Sequence, residues 1–253
     1  MMIRPPLAVY APALLAACQQ PAERAEGPAA ADATRAASAS VDATPDESAA
    51  SEAAAFQAAW GSPAPVTWRA PDAKPDDEAM TYSKGTLVPL GDDRFALVSE
   101  GQGGESHVSA GALAVHYLTR TPAGFTRVGA WPDIVQGGTF GSPPQWTIRA
   151  DLTPSPALVT EAGGVWQGYS CSWSDVVELT PDRPILRTDA IPVAYDDSGA
   201  KETGAQDMEG ALTPDIKGQS FSVRYSGDRN LMVRYALRGQ RYEATTSPDL
   251  PTC

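Results

Sequence analysis

The sequence predicts an all-β fold: antiparallel meanders in a sandwich or propeller-like arrangement, preceded by one short N-terminal helix. Three observations predict it. From Thr81 on, short alternating apolar runs are broken by Gly, Pro and Asp. No long helical pattern interrupts them, which argues against a parallel α/β sheet. Near the C-terminus, Phe221, Val223 and Tyr225 alternate with Ser222 and Arg224, and Leu231, Val233, Tyr235 and Leu237 alternate with Met232, Arg234 and Arg238.

The elements follow in chain order. Residues 44–61 form the helix. Thr44-Pro45-Asp46-Glu47 combines a capping hydroxyl, proline at the first helical position and an acid three residues after the cap. An alanine-rich run follows, and Gly61 with Pro63 supplies the stop. Phe56 and Trp60 are four apart and share the face that docks on the domain of residues 62–253. Thr86 to Leu90 and Arg94 to Glu100 flank Gly91-Asp92-Asp93, a hairpin signal. Ala112 to Arg120 and Gly124 to Trp131 are the next strands.

A weak repeat then appears. Ala96-Leu97-Val98-Ser99-Glu100 recurs as Ala157-Leu158-Val159-Thr160-Glu161, and Gly103-Gly104 is echoed by Gly163-Gly164. Strands follow around Val115 and Val176, then through Phe125 and Leu186, so each copy reads as a three-strand meander. Gly227-Asp228-Arg229 and Gly239-Gln240 are the turns of the last meander, whose third strand contains Tyr242.

The N-terminus resembles a bacterial lipoprotein signal. Arg4 precedes an apolar run, Leu7 to Ala17, that ends in Leu15-Ala16-Ala17-Cys18. The run is too short for a membrane span and has the order of a secretory signal. The resemblance implies that residues 1–17 are removed and that Cys18 carries acyl chains, which anchor the chain to a membrane. It also implies an outer-membrane address, since Gln19 stands where an inner-membrane retention aspartate would be. Residues 18–43 are Ala-rich and lack aromatics. They read as a disordered tether with a span on the order of 25–30 Å.

Composition narrows the partners. The chain has 19 Lys+Arg against 31 Asp+Glu, a formal charge of −12. That argues against nucleic acid, which needs a basic footprint, and against an electrostatic hold on anionic lipid. With Cys18 assigned to the lipid, Cys171 and Cys253 remain. An exported chain meets an oxidising compartment, so the expectation is a disulfide closing about 80 residues. Two free thiols or a metal pair are the alternatives. His107 and His116 lack close ligand spacing to the cysteines, and no cofactor motif is present.

Candidate chemistry is sparse. Glu100 and Glu161 fall at equivalent places in the two copies, and a carboxylate pair is the equipment of a polymer hydrolase if the two lie close together. The nucleophile elbow Gly-x-Ser-x-Gly is absent; Gly168-Tyr169-Ser170-Cys171-Ser172 fails at its last position. His116 falls on the strand face opposite Leu113, Val115 and Tyr117 and reads as a structural or surface residue. Asp196-Asp197-Ser198-Gly199 and Asp76-Asp77-Glu78 lack the spacing of a calcium loop.

Two surfaces suit a partner such as an envelope glycan or protein. Arg224, Arg234, Arg238 and Arg241 share the face opposite the apolar side chains of the last meander. Trp146 and Trp166, with Trp131 and Trp173 nearby in sequence, sit among Gly, Pro, Tyr and Gln. The segments Phe140 to Trp146 and Gly164 to Tyr169 read as loops carrying large rings. The reading is therefore an outer-membrane lipoprotein with a non-catalytic binding or scaffolding β domain. A carboxylate-dependent hydrolase acting on envelope polymers is the alternative.

Overall fold

A computed structural model describes residues 45–253 apart from 75, 76, 189, 248 and 252. The signal, Cys18, the tether, Thr44 and Asp76 lie outside the described residues. Helix α1 (Pro45–Trp60) comes first. Strands β1 (Val66–Trp68), β2 (Met80–Gly91), β3 (Arg94–Gln102), β4 (Gly111–Thr121) and β5 (Gly124–Gly137) form an antiparallel sheet in that order. The second sheet contains β6 (Gln145–Arg149), β7 (Ala157–Trp166), β8 (Tyr169–Leu179), β9 (Pro184–Leu186), β10 (Ile191–Asp196), β11 (Asp207–Ile216), β12 (Ser220–Gly227), β13 (Leu231–Arg238) and β14 (Arg241–Ala244). Its order is β14-β13-β12-β11-β10-β8-β7-β6, with β9 on the side of β8.

Of the two arrangements expected, the chain adopts the sandwich. Val98, Leu113 and Val115 of the first sheet share a core with Leu158, Val177 and Leu179 of the second. The repeat copies are the meanders β3–β4–β5 and β7–β8–β9. They differ at the glycine pair. Gly103-Gly104 lies in the loop after β3, while Gly163-Gly164 lies within β7.

Turn chemistry sets the hairpins. Asp92 and Asp93 hold φ of 47° and 58°, and Gln167 and Gly168 hold 52° and 86°. Two consecutive positive φ values make the tight turn whose twist matches paired strands. The segment Gly164 to Tyr169 is therefore the tip of the β7–β8 hairpin and not a flexible loop.

The helix covers the outer face of the first sheet. Ala55, Phe56 and Ala59 bury against Tyr82, Leu97, Ala114 and Leu118. Trp60 stacks on Tyr82 with ring centroids 4.4 Å apart, and Arg127 Nη1 donates to the Ala59 carbonyl at 2.6 Å, satisfying a helix-end acceptor. Covered on both faces, β4 buries every residue from Gly111 to Leu118.

His116 is consequently a core residue, edge-on to Trp60 at 4.5 Å, and its Nδ1 has no hydrogen-bond partner among the described residues. Burial first, and the Arg127 charge second, hold its pKa at about 4 against an ordinary 6.5. The unfolded chain therefore binds an extra proton between those values, and stability falls as pH drops through 6.5 towards 4. The His116 contribution to that loss is about 3 kcal/mol. In His116→Leu the stability difference between pH 7 and pH 4, from urea unfolding, is expected to shrink by about that amount. An equal difference in both proteins contradicts the assignment.

The second sheet curls. A bulge between Pro192 and Ala194 bends it, so β11–β13 fold back over β7 and β8. Val176 and Ala157 then share a core with Phe221, Val223 and Tyr235. The curl is pinned where the Gly218 N–H donates to the Leu152 carbonyl at 2.9 Å and the Tyr242 N–H to the Arg187 carbonyl at 2.8 Å. Cys171 and Cys253 are bonded, with Cα atoms 6.3 Å apart, so the tail returns to the core of this sheet.

Candidate functional site

Strand register builds a groove on the curled sheet. Gln145, Glu161 and Ser174 stand opposite one another on β6, β7 and β8, as do Gly163 with Ser172 and Val165 with Ser170. Opposed residues point to one side and side chains alternate. One face of these three strands therefore carries Gln145, Thr147 and Arg149, then Glu161 and Gly163, then Ser170, Ser172 and Ser174.

Two contiguous depressions lie on this face. One, of about 270 Å³, runs between β6 and β11, with Val193, Gly210 and Leu212 as its far wall. The other, of about 350 Å³, is walled by Thr139, Phe140, Ser142 and Pro143. Gln145 and Glu161 line both. The closed end lies where Arg149 Nη1 reaches the Leu212 carbonyl at 3.4 Å across the curl. Arg149 is held there by two 2.8 Å bonds to Asp151, which keep its pKa above the usual arginine value.

Phe140 closes the open end. Its φ is 52°, a left-handed backbone that is strained for a bulky residue, and the residue is 54% exposed. The loop holds it there. Gln102 Nε2 donates to the Phe140 carbonyl at 3.1 Å, the Gly103 N–H donates to the Gly141 carbonyl and the Gly141 N–H to the Ser109 carbonyl, each at 2.9 Å. A Cβ at Gly141 would lie 2.3 Å from the Gly104 carbonyl oxygen, so only glycine fits beside the ring. Ser109 is anchored in turn by its hydroxyl bond to Glu78 at 2.7 Å. Strain of this kind persists where the surroundings over-determine it. Phe140→Gly is expected to raise the unfolding free energy by about 1 kcal/mol in urea titration. A loss of more than about 1 kcal/mol would show that the ring is held for packing instead.

The two carboxylates are not brought into one groove. Glu100 pairs with Lys84 at 3.1 Å and accepts the Trp146 Nε1 hydrogen bond at 3.1 Å. It lines neither depression. The reason is the stacking of the meanders. The Ala96–Val98–Glu100 face looks at the second sheet, whereas the equivalent Ala157–Val159–Glu161 face looks away from the first. Glu100 therefore faces the gap between the sheets and Glu161 the groove.

Trp146 is turned into the core between the sheets. Trp166 packs against the curled-sheet core and continues a ring row, 6.0 Å from Trp173 and 6.2 Å from His107, which meets Phe140 at 5.0 Å. Arg224, Arg234, Arg238 and Arg241 are exposed on the outside of β12–β14. Acids are interleaved among them. Arg234 lies 3.5 Å from Asp215 and donates to Ser220 Oγ at 2.9 Å, and Arg238 lies 3.9 Å from Glu243.

Asp197 is buried and accepts bonds from Tyr195 Oη at 2.8 Å and the Gln206 N–H at 2.7 Å, with Lys201 Nζ at 2.5 Å. The Lys201 bond first, then the Gln206 N–H, hold its carboxyl below the usual range. These bonds make Asp197 the organiser of its own loop. No group of three or more His, Cys, Asp or Glu with metal-binding geometry occurs among the described residues.

Sequence position marks Glu161, but not the face around it. Its signal was the alternation Ser170-Cys171-Ser172-Trp173-Ser174, which sets a hydroxyl on every second residue of β8. The fold and groove define an all-β sandwich with a polar cleft in its curled sheet. No protein-family model matches the chain, and no curated protein or solved structure matches it.

Proposed function

We propose that this protein is a lipid-anchored binding module of the bacterial outer membrane. Cys18 carries the acyl chains, residues 19–43 are the tether, and the groove of the curled sheet is the ligand face. The observation that carries the ligand face is the row Gln145, Glu161, Ser170 and Ser172, solvent-facing polar groups converging on one concave surface. Leu15-Ala16-Ala17-Cys18 supports the anchor, and the charge of −12 disfavours a nucleic-acid partner.

Two measurements test the two halves. Mass spectrometry of the N-terminal peptide from bacterial membranes is expected to show acylated Cys18, and Cys18→Ala to leave the membrane fraction; an unmodified Cys18 in a membrane-free chain contradicts the anchor. Purified wild-type protein immobilised on beads is expected to retain solubilised envelope material. Ser172→Trp, which fills the groove, should lose it. Equal retention by both contradicts the ligand face.

A further inference from the structure

We infer that the groove takes a neutral glycan chain, with one sugar ring against Phe140 and its neighbours' hydroxyls on Gln145, Glu161, Ser170 and Ser172. The inference rests on the groove being the ligand face.

Charge comes first. The groove carries the Glu161 carboxylate in a chain of charge −12. Arg149, the one cation lining it among the described residues, is taken by Asp151 and the Leu212 carbonyl. An anionic ligand would find repulsion and no free partner.

Hydrogen-bonding capacity comes next. A carboxylate accepts, an amide both donates and accepts, and hydroxyls do either. Such a mixed row matches sugar hydroxyls, which are donors and acceptors at once. Between Ser170 and Ser172 the floor is low. At Gly163 a Cβ would sit 2.1 Å from the Cys171 carbonyl oxygen, so the surface is flat backbone bounded by small hydroxyls. An extended peptide gains its specificity from pockets for alternate side chains, and the bare backbone at Gly163 offers none there. From Val159 to Val165 the row spans about 20 Å at strand spacing, room for a short oligosaccharide.

The ring comes last. Phe140 is held in a left-handed backbone, packs edge-on to His107 at 5.0 Å and is still 54% exposed, and Val165, which lines the same depression, is 55% exposed. A sugar ring has an apolar C–H face and a polar rim, and the open end of the groove supplies an apolar platform next to polar groups.

The test is titration calorimetry of the lipidated full chain, in a detergent without sugar head groups, with maltotetraose, cellotetraose and the β-1,4-linked N-acetylglucosamine tetramer. Saturable binding of at least one is expected. It should weaken tenfold or more in Phe140→Ala and in Glu161→Gln, and Phe140→Tyr should restore it. A parallel arm treats solubilised envelope material with periodate or with protease before exposure to the immobilised protein. If no tetrasaccharide binds and retention is protease-sensitive but periodate-resistant, the occupant is a peptide and the glycan inference is overturned, while the ligand face stands. If the wild-type protein binds no tetrasaccharide and retains no envelope material, both fall.

Discussion

Cys253→Ser is expected to lower the unfolding free energy by about 4–5 kcal/mol, the chain-entropy value for the loop closed over 82 residues. Against a total stability of about 5–15 kcal/mol for a domain, this is about a quarter or more of the whole. The geometry explains why the loss should be expressed in full. Cys171 is buried on β8, and Leu250 packs on the same core. Arg229 ties the chain at Asp249 by a 3.2 Å contact, an exposed pair too weak to hold the tail by itself. Without the disulfide, the tail beyond the Thr245 N–H bond to the Arg234 carbonyl (2.8 Å) can peel away and expose the edge of that core. Urea unfolding of oxidised wild type, reduced wild type and Cys253→Ser measures the effect. The last two should coincide. A variant within about 1 kcal/mol of the oxidised protein would show that the crosslink constrains little.

Arg187→Met is expected to cost about 3–5 kcal/mol by leaving a carboxylate uncompensated in the core. Glu178 is 3% exposed and accepts from Arg187 Nε at 2.7 Å and from the Ser155 N–H at 3.1 Å. Arg187 Nη1 continues to the Gln240 carbonyl at 2.9 Å. One guanidinium thus joins the end of β8 to the β13–β14 turn across the curl. Removing both charges removes the penalty as well as the bond. The double variant Glu178→Met/Arg187→Met should accordingly be more stable than the single one, because a buried pair is worth far less than the damage done by breaking it. A double variant no more stable than Arg187→Met would contradict this account.

Much of the fold was legible because it is written in local patterns. Alternation around Val223 and Val233 specified strands with one core face, and Gly-Asp-Asp at 91–93 specified a tight turn. Phe56 and Trp60 were readable as a docking face because four-residue spacing fixes their side. What could not be read depends on how sheets stack. Glu100 and Glu161 are equivalent in sequence, yet one faces the gap between the sheets and the other a groove, since the meanders stack with the same face forward. Trp146 was legible as an aromatic in a turn-rich stretch, but its direction is set by β6 pairing with β7. Ser170, Ser172 and Ser174 look like any solvated strand face until the bulge at Val193 brings β11 over the Ser174 end of the row. The left-handed backbone of Phe140 has no sequence signal, because it is imposed by Gln102 at the end of β3 and Ser109 in the loop that follows.

The central claim is that the ligand face is the groove and not the arginine face of β12–β14. It is tested most directly by comparing retention of solubilised envelope material on immobilised wild type, Ser172→Trp and Arg234→Glu, each shown to be folded by its near-ultraviolet circular dichroism. The groove account predicts that Ser172→Trp loses retention while Arg234→Glu keeps it. Loss in Arg234→Glu with full retention by Ser172→Trp would contradict it.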